Sequence, residues 1–294
     1  MLPNFMVVGA PKAGTTSLCH YLSGHRQVFM SDPKEVNFFS KEEIEDQGLY
    51  YKDFQVKNLA EYEDLFAGVA DEKAIGEGSV SYLFYPKTPQ KIKDVLPNVK
   101  IIILLRDPVS RGFSHYLMDY RLGLVNLPYE EIVYQKSNHE NKFLYYQQHV
   151  KLGLYYKQVK RYLDCFDRKQ VKILLQEDLR QDIRGVIGDL CDFLEIDRSF
   201  LPDVEKHHNV FSMPKNRLTH RLYSLPLVRS TISKLFSDTT KEIIRNTFFE
   251  RTKKPKLEQE LKNHLEDFYK NDIQQLEHLI GRDLSSWYKR DTHV

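Results

Sequence analysis

The stretch VKIIILLRD (99–107) sets five aliphatic residues in a row, Ile101 to Leu105, and turns at once to Arg106 and Asp107. A strand with one wet face alternates apolar and polar residues. An unbroken run needs cover on both faces, which is the situation of an inner strand of a parallel sheet. Three more runs read as strands: FMVVGA (5–10), KAIGEG (73–78) and VKILLQED (171–178). Helical spacing fills the intervals at 15–22, 89–95, 110–121 and 155–166. Strands alternating with helices predict an α/β fold, a central mostly parallel sheet flanked by helices. Beyond about residue 180 the pattern becomes helical, over 183–194 and 257–280. In the second of these Leu261, Leu265, Phe268, Ile273, Leu276 and Leu279 form the stripe of a helix that closes the core. There is no repeat and no Gly/Ser-rich linker, so residues 1–294 are expected to form one domain. Segments 123–152 and 203–240 resist a regular reading and suit either the walls of a pocket or ordinary surface excursions.

Charge narrows the function classes. With 43 basic against 41 acidic residues the net charge is +2, too balanced to announce a nucleic-acid partner. Basic character has to be concentrated in a pocket to matter. The three cysteines contain no CxxC pair, which gives neither a disulfide framework nor a zinc site and fits packed thiols in a reducing compartment. The first strand is expected to start by about residue 5, so no secretory leader is expected ahead of it. No run approaches the roughly 20 apolar residues of a membrane span. The expectation is a cytoplasmic protein without one.

The loop after the first strand reads GAPKAGTT (9–16). A nucleoside-triphosphate loop, GxxxxGK[ST], places lysine directly after the second glycine. Here Gly9 and Gly14 keep that separation, but Thr15 follows Gly14 and the lysine is Lys12. Backbone N–H groups opening the next helix still suit an anion, with threonine hydroxyls and a lysine beside them. A kinase also needs a carboxylate for Mg²⁺ near a strand end. The strand IIILL delivers Arg106 first, and an arginine suits phosphate better than magnesium. A P-loop nucleotide kinase and a nucleotide-binding protein without catalysis remain the alternatives to a group transferase.

PKAGTTSL (11–18) followed by LLRDPVSRGFSHY (104–116) resembles the sulfotransferases that use 3′-phosphoadenosine 5′-phosphosulfate (PAPS). The likeness is to the bacterial and heparan-sulfate-type branch. It extends to DPKEVNFFS (32–40), IGEGSVSYL (75–83), GLYYKQVKRYLDCF (153–166) and IGRDLSSWY (280–288). The resemblance implies a P-loop-like strand–loop–helix site in which Lys12, Ala13, Gly14, Thr15, Thr16 and Ser17 surround the 5′-phosphosulfate. Arg106 and Ser114 would hold the 3′-phosphate, and the basic segment carrying Lys215, Arg217 and Arg221 would fold over it. PAPS would be the donor, 3′-phosphoadenosine 5′-phosphate (PAP) the product, and no metal would be required. Glu35 matches the glutamate that serves this branch as general base, and Lys12 would sit at the bond being broken. His20, His25 and His115 carry no motif that places them at the sulfur. The likeness departs at Gly78, where related heparan enzymes often carry lysine beside the acid that is here Glu77. The acceptor would be a hydroxyl or amine of a small molecule or a carbohydrate. Tyr129, Tyr134, Tyr145, Tyr146, Tyr155 and Tyr156 either line its pocket or belong to the core.

Overall fold

The structure, a computed structural model, describes residues 1–51, 56–200, 212–214, 249–251 and 254–288. The expected strands form as β1 (Phe5–Gly9), β3 (Ala74–Gly78), β4 (Lys100–Leu105) and β5 (Val171–Leu175). A strand too short to register as a pattern, β2 (Val28–Met30), joins them at one edge. All neighbours pair in parallel, in the order β2-β3-β1-β4-β5. Ile101 to Leu105 are fully buried, as are Phe5 to Val8 beside them. Continuous aliphatic runs therefore occupy the centre, covered on both faces.

Among the described residues the helices are α1 (Thr15–Ser23), α2 (Lys41–Asp46), α3 (Leu59–Asp64), α4 (Thr88–Val95), α5 (Pro108–Arg121), α6 (Tyr129–Val133), α7 (Lys142–His149), α8 (Tyr155–Cys165), α9 (Gln176–Gln181), α10 (Ile183–Leu194) and α11 (Gln259–Ile280). Two sequence expectations need correcting. The run 171–178 is not all strand, because β5 stops at Leu175 and its polar tail Gln176-Glu177-Asp178 opens α9. Segment 123–152 is not an irregular wall either. It folds into α6 and α7, which bury Tyr129, Ile132, Val133, Tyr145 and His149. A separate antiparallel pair joins β6 (Ser212–Pro214) to β7 (Phe249–Arg251). Among the described residues no helix is long and apolar enough to cross a membrane.

Buried tyrosines tie the helical layers to one another and to the segments leaving the strands by giving their hydroxyls to backbone carbonyls. Tyr162 donates to the Tyr82 carbonyl at 2.9 Å, Tyr269 to Val150 at 2.7 Å and Tyr155 to Arg106 at 3.0 Å. Each ring fills core volume while its one polar atom stays satisfied. Helix α5 is anchored at its start by Asp107, whose carboxylate accepts the N–H groups of Val109 and Ser110 at 3.1 Å.

A buried polar cluster holds α5 to α7 and to the chain at Tyr50-Tyr51. Asp119 accepts from Tyr50 at 2.8 Å, Tyr51 at 2.6 Å and His149 Nε2 at 3.0 Å. Arg111, which has only donors, lies 3.2 Å from His115 Nδ1. That nitrogen must accept, so His115 carries its proton on Nε2 and gives it to Tyr51 at 2.9 Å. Burial pushes His115 down to about 3 despite the nearby Asp119, so it stays neutral. His25 is also structural: Nε2 meets the Asp197 carbonyl at 2.9 Å and Nδ1 accepts the Gln27 N–H.

Where α5 crosses α7, Gly112 lies against the His149 carbonyl, which also accepts from Arg111 at 3.0 Å. A methyl group there would overlap that oxygen and stand 2.8 Å from the Tyr129 hydroxyl. Gly112→Ala should lower stability by about 1–3 kcal/mol through forced separation of α5 and α7, read as a fall in the urea midpoint.

Candidate active site

The strand order reverses at β1, with β2 and β3 on one side and β4 and β5 on the other. In open α/β sheets such a switch point opens a crevice outside the carboxyl ends of the strands. The loop 10–14 leaves β1 at that point. Its carbonyls are held by side chains from the ends of the two strands on one side. Arg106, just past β4, donates Nη1 to the Lys12 carbonyl at 2.9 Å. Gln176, just past β5, donates Nε2 to the Ala13 carbonyl at 2.8 Å. The N–H of Ala13 is used within the loop, on the Ala10 carbonyl. Ala13 is thus buried and shapes the turn rather than offering a donor.

Gly14 is the N-cap of α1 at φ 109°, a left-handed conformation suited to glycine, and no side chain caps this helix. The first N–H groups of α1, at Thr15, Thr16 and Ser17, therefore have no partner from the helix itself. Thr15 is buried, Ser17 half-buried and Thr16 exposed. With the loop carbonyls turned into the protein, the donor end of α1 faces outward, and its dipole adds positive potential.

Lys12 takes a left-handed φ of 67° and its Nζ lies 3.3 Å from Met118 Sδ on α5. A thioether is a weak acceptor, so this ammonium is held in place without being neutralised. Burial holds Lys12 below the usual lysine range. Arg121, Arg106 and Lys34 press it further down, while Asp119 opposes them. Ser114 lies one helical turn before Met118, on the same face of α5, and is half-buried. Arg106 is itself partly dehydrated and feels Arg180. Lys254 joins the group. It is exposed as a residue, yet partial loss of hydration at its amine, then Arg106, Lys12 and Arg180, push it down to about 8, and its Nζ stands 5.7 Å from the Phe113 ring. Mutually repelling cations near an uncapped helix start are the kind of arrangement that suits a multiply charged anion.

Glu35 stands across α1 on a turn held to the end of β3. Its N–H donates to the Gly78 carbonyl at 3.0 Å, and its Oε2 accepts the Val80 N–H at 2.9 Å. Glu35 and Asn37 both have left-handed φ, 70° and 56°. Asn37 closes the turn by donating Nδ2 to the Glu35 carbonyl at 2.8 Å. The buried Cys19 thiol of α1 senses both Lys34 and Glu35, which puts this turn beside the first helix. Burial pushes that thiol up to about 12, so it is inert.

Beneath the turn lies Glu77, fully buried inside β3. Ser79 and Tyr62 donate to its carboxylate, Tyr62 at 2.7 Å, with Tyr82 at 3.3 Å. The Ser79 hydroxyl in turn accepts the Asn37 N–H at 2.9 Å. Glu77 thereby underpins the backbone that carries Glu35.

The sequence-derived candidates thus fall into two groups brought to one end of the sheet: Lys12 to Ser17 with Arg106 and Ser114, and Glu35 opposite. Lys215, Arg217 and Arg221 lie outside the described residues. Reading the sequence missed Gln176, Arg180 and Lys254. Gln176 had the same signal as Arg106, a polar residue directly after an aliphatic strand, and Lys254 sits in the basic run RTKKPK (251–256). Tyr129, Tyr145 and Tyr155 are core residues, whereas Tyr134, Tyr146 and Tyr156 are half-buried.

Burial raises the Glu77 carboxyl from 4.5 to about 7, outweighing its hydroxyl partners. The native state then holds a proton that the unfolded chain has released. Stability should fall as pH climbs from about 4.5 to about 7, by about 3 kcal/mol. Glu77→Gln should lack this slope, so the difference in urea midpoint between the two proteins should change across that window and level off above it.

A family model for the sulfotransferase domain matches residues 2–279. Human heparan sulfate glucosamine 3-O-sulfotransferase 3B1 is 26% identical over 67% of this chain and 47% of its own length. The mouse bifunctional heparan sulfate N-deacetylase/N-sulfotransferase 3 is 23% identical over 99% of this chain and 31% of its own. The chain thus spans less than half the length of these curated relatives. The crystal structure of a sulfotransferase from Alicyclobacillus acidocaldarius superimposes with a TM-score of 0.72 at 33% identity, covering 98% of this chain and 100% of that one. With the parallel sheet, the loop after β1 and the matched length in agreement, the chain belongs to the sulfotransferase domain family.

Proposed function

We propose that this protein is a PAPS-dependent sulfotransferase that moves a sulfuryl group to a hydroxyl or amine of a small-molecule or carbohydrate acceptor. The observation that carries this reading is Lys12, an ammonium fixed beside the start of α1 with a thioether for partner and other cations around it. The residues present suit PAPS. The N–H groups of Thr15, Thr16 and Ser17, with Lys12, would hold the 5′-phosphosulfate. Arg106 and Ser114 would hold the 3′-phosphate, and Lys254 would add charge to the same region.

In-line transfer forms a bond from the acceptor oxygen or nitrogen to sulfur and breaks the bond from sulfur to the bridging phosphate oxygen, which leaves with the electron pair. Glu35 would take the acceptor's proton, and Lys12 would neutralise charge growing on the leaving oxygen. A buried His115 with both nitrogens engaged is no competitor for the base. The curated relatives named for heparan sulfate make a carbohydrate one arm of an acceptor screen, with small-molecule alcohols and amines the other.

Calorimetry of PAP without magnesium against ATP with magnesium tests the donor. Tight binding of PAP alone is expected, and a preference for Mg·ATP would replace this reading with a kinase. Lys12→Ala should lower kcat by about 10²–10³-fold. Arg106→Ala should weaken PAP binding by about 10–100-fold, since it loses a charged contact and the brace on Lys12. Glu35→Gln should slow transfer by about 10²-fold or more at unchanged PAP affinity.

A further inference from the structure

Side chains of adjacent residues normally diverge on extended or helical backbone. At Lys34 and Glu35 they converge: Lys34 Nζ lies 2.5 Å from Glu35 Oε1. The left-handed φ of 70° at Glu35 belongs to the turn that makes this possible. The two carboxylate oxygens are therefore held differently. Oε2 is tied to the Val80 N–H, part of the rigid end of β3, whereas Oε1 is met by a side chain with four rotatable carbons. The pair is only part-exposed, with 24% of the Lys34 side chain and 37% of the Glu35 side chain open to water.

Lys34 reaches this position across Gly78. A Cβ at residue 78 would stand 3.4 Å from Lys34 Cε and 3.8 Å from Cγ, so the lysine stem packs where a side chain at 78 would begin. The charge at its tip is felt at Lys12 and at Cys19. Lys34 thus lies against the carboxylate on one side and within electrostatic reach of the loop lysine on the other.

We propose that Lys34 is a positioning residue for sulfuryl transfer, acting through Glu35: it fixes Oε1 so that the carboxylate meets the acceptor's proton, and it takes no part in holding the donor. This rests on the reading of Glu35 as the base.

The test is a double-mutant cycle of Lys34→Met and Glu35→Gln on the full chain, with kcat, donor KM, PAP affinity and thermal midpoint measured for each protein. Lys34→Met should lower kcat by about 10-fold or more at unchanged donor KM and PAP affinity, because a misplaced base slows the chemical step alone. Lys34→Arg, which keeps the charge and the pairing, should restore most of it. In the Glu35→Gln background Lys34→Met should cost less than about 2-fold further, the mark of residues acting as one unit. Lys34→Gln replaces Lys34→Met in the cycle if the latter does not fold. Undiminished kcat in Lys34→Met, losses that multiply in the double variant, or a parallel loss of PAP affinity would each overturn the proposal. Wild-type turnover in Glu35→Gln would instead overturn the assignment of the base.

Discussion

A single guanidinium organises the loop that opens α1 through the backbone. Arg106 leaves β4 with its carbonyl fixed by Tyr155 and its Nη1 fixed on the Lys12 carbonyl. Gln176 does the same for Ala13 from the end of β5. Three neighbouring strands therefore converge on one short loop. Once its carbonyls are committed inward, the N–H groups of α1 are what the loop presents to the crevice. The arrangement brings Lys12, Arg106, Arg180 and Lys254 within electrostatic reach of one another, a cost in which lost hydration of the lysines leads and repulsion by their cationic neighbours adds. Burial of the aliphatic centre of the sheet offsets that cost. A bound polyanion would relieve the repulsion, which is why such a cluster favours highly charged ligands over singly charged ones.

The opposite wall works by hydroxyl groups rather than charge. Tyr62, Tyr82 and Ser79 converge on Glu77, and Ser79 passes the support on to Asn37 and so to the turn of Glu35. One carboxylate is thus sealed under the sheet end as a brace while another, a few residues away in space, is left partly open. Burial separates their settings: Glu77 is fully enclosed and acts as a structural acceptor, whereas Glu35 is part-exposed beside Lys34.

Much of this was legible in the residues. The run Ile101–Leu105 called for cover on both faces, and the structure buries all of it. The displaced Lys12 and the strand-ending Arg106 were read together from the sequence, and the structure brings them together, Arg106 donating to the Lys12 carbonyl. Other features leave no periodic trace. Val28–Met30 is three residues long, too short to distinguish from loop, and its pairing depends on β3 lying beside it. The tyrosine-rich stretch 123–152 reads as irregular because its helices α6 and α7 are short. Their stability comes from packing on α5 and from the shared Asp119 cluster rather than from local propensity. Gln176 and Lys254 carried faint signals, a polar residue closing an aliphatic strand and a basic run, but only tertiary placement brings them to the loop.

The strand order carries a consequence for how the chain comes together in time. The central strand β1 has no partner near it in sequence; β3 and β4 begin roughly 70 and 95 residues later. A ribosome adding about 5–20 residues per second needs several seconds to cover that distance. For that interval FMVVG is an apolar segment with both edges unpaired, waiting for neighbours not yet made. The element that sits deepest in the finished protein is therefore the one left longest without its pairing, and the nascent chain is most open to capture by chaperones, or by other chains, at the segment that leads into the loop opening α1.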